Sequence, residues 1–185
     1  MILDKRSKQL IRKIQFPASP VLSNHIRTFH LLNSDTLWVG ASAGFYWIHL
    51  RNFSTGSIIL DSTKAYQTVY LFFTDSKKRT WISNNEISTL YFYDQKAGTY
   101  TVINNQNNPL FNTYINSVAE DNKGNIWIGG DAIVRWNSMY QKIDTSIEHL
   151  PTQQNFKKGY YVMTDSKGDV WTTVNDDGLV KLTGN

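Results

Sequence analysis

Apolar and polar positions alternate with a period of two in short runs, and polar or glycine-containing turns punctuate them, which is the pattern of strands rather than helices. The stretch from Ile115 to Trp136 shows the unit. Ile115, Ser117 and Ala119 lie on one face of a first strand, and Asp121-Asn122-Lys123-Gly124-Asn125 is a tight turn. In that turn the Asp side chain can bond backbone amides while Gly takes a positive φ. Ile126, Trp127 and Ile128 form a second strand, and Ile133 to Trp136 a third. Ile58 to Leu60, Tyr100 to Ile103, and Lys142 to Ile147 are the candidate fourth strands of three successive copies.

The copies are in register through tryptophan. Trp38, Trp81, Trp127 and Trp171 follow one another at 43, 46 and 44 residues. Asp75, Asp121 and Asp165 each stand six residues before their Trp; Gly124 and Gly168 stand three before it. In the second copy Lys78 takes the glycine place, and the first copy has Leu32 for the Asp and Asp35 for the Gly. Repeats of this length with four short antiparallel strands each are the signature of a β-propeller. The expected fold is therefore all-β: a partial propeller of four blades, each of four antiparallel strands. The repeats run approximately 22–60, 66–103, 112–147 and 158–185, within a single segment 1–185. Each recurrent Trp is expected to fill the wedge between neighbouring blades.

At the ends, the last repeat stops after its third strand. Residues 1–16 read as outer strands of a flanking blade, with Gln9 to Gln15 as a fourth strand. Such a strand can complete the last blade within one chain or in a partner chain.

Composition supports this picture: aromatics make up 14% of the chain against 18% charged residues, and there are only 4 prolines. With no cysteine, disulfides and thiolate metal sites are excluded. The net charge of +4 arises entirely in residues 1–13, where Lys5, Arg6, Lys8, Arg12 and Lys13 face Asp4. A nucleic-acid binder spreads its basic residues along a groove among stacking aromatics, so no nucleic-acid partner is expected. The charged start is no signal peptide, and the apolar run from Leu37 to Leu50 is too short to span a bilayer. No membrane contact by this segment is expected.

Catalytic patterns are weak. Gly40-Ala41-Ser42-Ala43-Gly44 matches the nucleophile elbow by letter, but that motif needs a helix after it, and Phe45 to Leu50 reads as a strand. His25, His30, His49 and His149 show no metal-site spacing. Catalytic residues, metal and cofactors are all expected to be absent.

On a propeller, ligands gather on the face where the turns between second and third strands meet the crossovers between blades. The residues placed there are Ser42 and Ala43; Asn84, Asn85 and Glu86; Asp131; and Asn175, Asp176 and Asp177, with the crossovers Asn104 to Asn112 and Thr152 to Lys158. Asn84, Glu86, Asp131, Asn175 and Asp176 are the candidate ligand-binding residues. Their amides and carboxylates suit sugar hydroxyls, and equally suit ordinary turns.

The copies resemble the two-component regulator propeller repeats of Bacteroidetes-type hybrid two-component systems. The likeness rests on Ala119 to Trp136 (AEDNKGNIWIGGDAIVRW), Thr164 to Leu182 (TDSKGDVWTTVNDDGLVKL) and Leu22 to Phe29 (LSNHIRTF). It implies a non-catalytic recognition segment in the periplasmic sensor region of an inner-membrane histidine kinase, responding to oligosaccharides. This chain would then be a fragment or an unusually small relative. A protein interaction scaffold, forming a homodimer through open blade edges, is the second expectation, and a propeller-based lyase or glycosidase the third.

Overall fold

The computed structural model describes residues 2–3, 5–7, 9–16, 25–63, 67–84, 88–147, 160–174 and 178–182. These residues hold strands and turns and no helix. Contacts divide the chain into two compact units, Met1–Tyr70 and Leu71–Asn185.

In the first unit, β1 (Ile2–Leu3) and β2 (Leu10–Arg12) pair antiparallel as a hairpin. A four-stranded antiparallel sheet follows, in the order β3 (Ile26–Asn33), β4 (Thr36–Ala41), β5 (Gly44–His49) and β6 (Thr55–Ile58). Val39, Ala41, Tyr46 and Ile48 are its buried cluster, and Ile14 and Phe16 pack on it. The Phe16 ring stacks on Tyr46 at 4.5 Å. The outer strand β6 ends at Ile58 instead of starting there. Gly56 lies opposite Trp47, and a Cβ on it would come within 2.5 Å of Trp47 Nε1, so a bare backbone is needed where the indole crosses the strand. The letters Gly40 to Gly44 form a two-residue turn between β4 and β5, with a strand after the serine rather than a helix.

Three further sheets repeat the design. The second is β7 (Val69–Thr74), β8 (Arg79–Asn84), β9 (Thr89–Asp94) and β10 (Thr99–Asn104). The third is β11 (Ser117–Glu120), β12 (Ile126–Gly129), β13 (Ile133–Asn137) and β14 (Lys142–Ile147). The fourth has three described strands, β15 (Val162–Thr164), β16 (Val170–Val174) and β17 (Gly178–Leu182).

Within the second unit the sheets bury one another's faces. Trp81 lies in one cluster with Leu90, Ile103 and Phe111, and with Val118, Ile126, Ile128, Val134 and Trp136 of the third sheet. The Trp81 and Trp136 rings meet edge to face at 5.2 Å, a favourable aromatic geometry. Trp127 does the same for the next pair, packed with Ala119 and Ile133 against Tyr160, Val162 and Val170. Trp38 is buried against Phe45 in the first sheet, with ring centroids 5.0 Å apart. Trp171 is half-buried on the fourth sheet, with the Lys181 ammonium 5.9 Å from its ring.

The turn before each second strand has one chemistry in three copies. Asp75, Asp121 and Asp165 each accept the indole N–H of the Trp six residues on, at 2.8, 2.9 and 3.0 Å. The other carboxylate oxygen accepts the backbone N–H groups two and four residues on. One aspartate thus closes the turn and orients the indole. Gly124 and Gly168 have φ of 77° and 79°, and Lys78 in the same place has φ of 63°. A side chain at positive φ costs about 1–2 kcal/mol, part of which glycine's greater unfolded-state freedom offsets. Lys78→Gly is therefore expected to stabilise the protein by about 0.5–1 kcal/mol, which urea unfolding would measure. A loss of stability would show that the Lys78 side chain contributes something the turn geometry does not reveal.

Candidate functional site

In the second unit, loops at one end of three sheets are tied into a continuous hydrogen-bonded chain. Ser88, which opens onto β9, donates its N–H to Thr113 O at 2.9 Å and accepts the Thr113 N–H on its hydroxyl at 3.2 Å. Thr113 Oγ1 accepts the Ala132 N–H at 3.0 Å, in the turn between β12 and β13. Gly130 O accepts the N–H of Tyr160 at 2.7 Å, on the segment leading into β15. Ser117 Oγ accepts the Val162 N–H at 2.7 Å, which carries the link down the first strands. With their backbone groups used this way, these loops present a preorganised surface rather than a set of independent turns.

Asp131 sits at the centre of this chain, between Gly130 and Ala132. Its side chain is half-buried and makes no hydrogen bond to another described residue. Tyr114 and Tyr161, 45% and 55% exposed, stand on the two segments bonded to that turn. Tyr160 and Val162 face the third sheet, so Tyr161 between them lies on the other side of the fourth. An exposed tyrosine, Tyr114, on a segment tied to the turn of an uncommitted carboxylate suits a ligand with an apolar face and hydroxyl donors.

The close approach behind Asp131 depends on glycine. A Cβ on Gly130 would fall 1.5 Å from Tyr114 O and 2.5 Å from Thr113 Oγ1, and one on Gly129 would fall 2.7 Å from Tyr160 O.

Of the residues placed on this face by sequence, Asn84 is buried at the end of β8, and Asp131 lies on the turn just described. Glu86, Asn175 and Asp176 fall outside the described residues, as do Asn85, Asp177, His149 and the crossover Thr152 to Lys158. Of the other crossover, Asn108 is buried, accepting the Ile143 N–H at 3.0 Å on its amide oxygen. Tyr114 and Tyr161 were not singled out by sequence, although each directly precedes or follows a residue whose backbone joins neighbouring sheets.

The opposite end of the sheets holds a polar cleft of about 180 Å³ between the third and fourth, lined by Asp121, Lys123, Trp127, Arg135 and Asp169 among others. Most of its charges are committed. Arg135 makes a two-point contact with Asp144, at 2.8 and 3.1 Å, and Lys181 bonds Asp169. Burial alone would raise the Asp121 carboxyl, but the Trp127 indole and the Asn125 and Lys123 donors hold it below the ordinary carboxylate range. The Trp171 indole lowers Asp165 likewise. Both groups are ordinary turn anchors held ionised, not acids poised for proton transfer. Among the described residues no group of three or more His, Asp or Glu side chains is placed to hold a metal ion.

Successive small antiparallel sheets, with Trp81 and Trp127 of their second strands packed between neighbours in the second unit, define the class: this is an all-β propeller fold. Residues 109–132, the crossover and first half of the third sheet, match the family model described as two component regulator propeller. The matched description is that of the repeats the sequence resembles.

Solved structures agree on the fold. The chain resembles the extracellular domain described for a hybrid two component system of B. thetaiotaomicron, with 17% identity and a TM-score of 0.65 over 96% of this chain and 23% of that one. It resembles the extracellular domain described for a one component system of the same organism, with 17% identity and a TM-score of 0.54 over 95% and 29%. A catalytically inactive virginiamycin B lyase from Staphylococcus aureus, with quinupristin, gives 18% identity and a TM-score of 0.64 over 92% and 56%. The chain thus spans about a quarter of the first two proteins and just over half of the third. No curated protein matches the sequence.

Proposed function

We propose that this chain is a non-catalytic recognition segment of the extracytoplasmic sensor region of a hybrid two-component system, contributing to the binding of oligosaccharides in the periplasm. The parent protein, on this reading, is an inner-membrane histidine kinase. Support comes from the repeat matched at 109–132 and from the likeness to extracellular domains of such systems.

The single observation that carries the ligand class is that Asp131, with its carboxylate uncommitted among the described residues, and exposed Tyr114 stand on segments tied to each other. A pyranose offers C–H groups to an aromatic face and hydroxyl donors to a carboxylate. Among the described residues nothing at this site pairs an acid with a base. A lyase or glycosidase needs that pair, which favours recognition over turnover.

Titration calorimetry of the chain with a panel of neutral and uronic-acid oligosaccharides tests the reading. Binding of at least one neutral member is expected, weakened about tenfold, which is about 1.4 kcal/mol, by Tyr114→Ala and by Asp131→Asn with the melting temperature unchanged. Absence of binding across the panel, or both variants binding as the wild type does, would remove the reason for calling it a sugar site.

A further inference from the structure

The crossover from β10 to β11 is anchored on one side and open on the other. Asn108 is buried and accepts the Ile143 N–H of the outer strand β14 on its amide oxygen. Phe111 is fully buried in the cluster of Trp81 and Trp136, and its N–H closes a turn on Asn108 O at 2.8 Å. Thr113 is buried and holds the Gly130 turn through the Ala132 N–H. Asn116 donates its N–H to Gly129 O at 2.7 Å. The crossover is thus pinned across the third sheet, from its outer strand β14 to its second strand β12, and it passes the turn that carries Asp131.

From Phe111 to Tyr114 buried and exposed residues alternate, as in an extended chain with one side against the sheet. Asn112 and Tyr114 stand on the open side, and Leu110, 48% exposed, stands at the turn before them. The Asn112 side chain makes no hydrogen bond to another described residue. Open-side residues of an extended chain follow one another about 7 Å apart, which is of the order of one sugar ring. The row Tyr114, Asn112, Leu110 therefore leads outward from Asp131 along a segment whose backbone is already fixed.

Charge narrows what such a row can take. No charged residue occurs from Ala97 to Ala119. Among the described residues of the loops at this end of the second unit, Asp131 is the sole charge. No cation among them can receive a carboxylate or sulfate on a ligand, and Asp131 itself repels one. Tyr114 offers a ring, Asn112 a donor and an acceptor, and Leu110 an apolar contact, a set that suits uncharged sugar rings. We propose that the crossover extends the site: a linear, uncharged oligosaccharide lies along Tyr114, Asn112 and Leu110 with one end ring at Asp131. The proposal rests on the reading of Asp131 and Tyr114 as a sugar site and adds the direction, length and charge of the ligand.

Titration of the whole chain, followed by NMR so that weak binding is seen, tests it with the mono- to tetrasaccharides of the cello-, malto-, manno- and xylo-series. In a series that binds, affinity is expected to rise about tenfold from the monosaccharide to the trisaccharide. Leu110→Ala and Asn112→Ala, both at exposed positions, should each weaken the trisaccharide about fivefold, the scale of one lost hydrogen bond or contact. Both should leave the monosaccharide and the melting temperature unchanged, whereas Tyr114→Ala should weaken every length. A monosaccharide that binds as tightly as its trisaccharide, and is still weakened by Tyr114→Ala and Asp131→Asn, keeps the sugar site and overturns the extension. So does a trisaccharide that both crossover variants bind as the wild type does, or trigalacturonate bound more tightly than every neutral trisaccharide. If no sugar of any length binds, the site and its extension fall together.

Discussion

Asp75→Ala is expected to destabilise the protein by about 3–5 kcal/mol, the range for removing one partner of a buried ion pair. Asp75 is the most deeply placed of the three turn aspartates, with its side chain fully buried and that of Arg79 9% exposed. It accepts the Arg79 Nε–H at 2.6 Å and the Trp81 indole N–H at 2.8 Å. Without it the guanidinium keeps its charge inside the core, where Arg79 Nη2 already lacks a hydrogen-bond partner. The rings of Trp81, Phe92 and Trp136, at 5.3, 5.2 and 4.7 Å from the guanidinium carbon, then supply its only described compensation. Cation–π contacts of this kind are worth about 2 kcal/mol at best, less than the pair they would replace. Asp165→Ala removes the turn and indole bonds, with no arginine partner, from a carboxylate near solvent, where water takes over most of them, and should cost much less. Thermal unfolding of the two variants side by side checks the order. Equal losses would mean that burial of the Asp75 pair has no energetic weight. Arg79→Met in the Asp75→Ala background should recover much of the loss, because it removes the unpaired charge while keeping the packing volume.

The contrast between these aspartates also explains what the sequence could and could not disclose. Asp, Gly and Trp recur at fixed offsets because a turn, a positive φ and an indole must each fall at a set place in the sheet. Such local demands leave a mark in the letters, so the all-β propeller fold was readable. The bond from the carboxylate to the indole was not read, because an Asp six residues before a Trp has a sufficient local role in closing the turn. Local pattern separates Asp75 from Asp165 only by Arg79 where the fourth copy has Asp169; the burial of that pair lies in Trp136, which is 55 positions after Trp81 and enters the cluster only through packing between sheets.

Misplacement of the first outer strand has a similar origin. Ile58, Ile59 and Leu60 are the apolar letters, but the strand is Thr55–Ile58, because pairing with Trp47 requires Gly56 and pulls the register towards the turn. At the candidate site, Asp131 was legible as a turn former between a second and a third strand, whereas Asn84 is the last residue of β8. The exposed Tyr114 was not legible, since it acquires meaning only when Thr113 ties its segment to the Gly130 turn.

That turn is where a single methyl group should have the second large effect. Gly130→Ala is expected to cost about 3 kcal/mol, the upper part of the usual range for overpacking. The added Cβ would lie 1.5 Å from Tyr114 O, and a backbone carbonyl cannot swing aside as a flexible side chain does. Relief requires moving the segment that carries Tyr114 or the turn that carries Asp131. Either motion strains the bonds of Thr113 Oγ1 with Ala132 N and of Gly130 O with Tyr160 N. Stability and recognition are therefore coupled through one residue: Gly130→Ala should lower the unfolding midpoint and also weaken any oligosaccharide bound at Tyr114 and Asp131. Gly98→Ala is the control, because no atom lies within 4 Å of its would-be Cβ, and only its φ of 70° opposes the change. It should cost about 1–2 kcal/mol and leave binding untouched. A Gly130→Ala protein as stable as the wild type would mean that the crossover yields freely, and that the loops at this end are not the preorganised surface their hydrogen bonds describe.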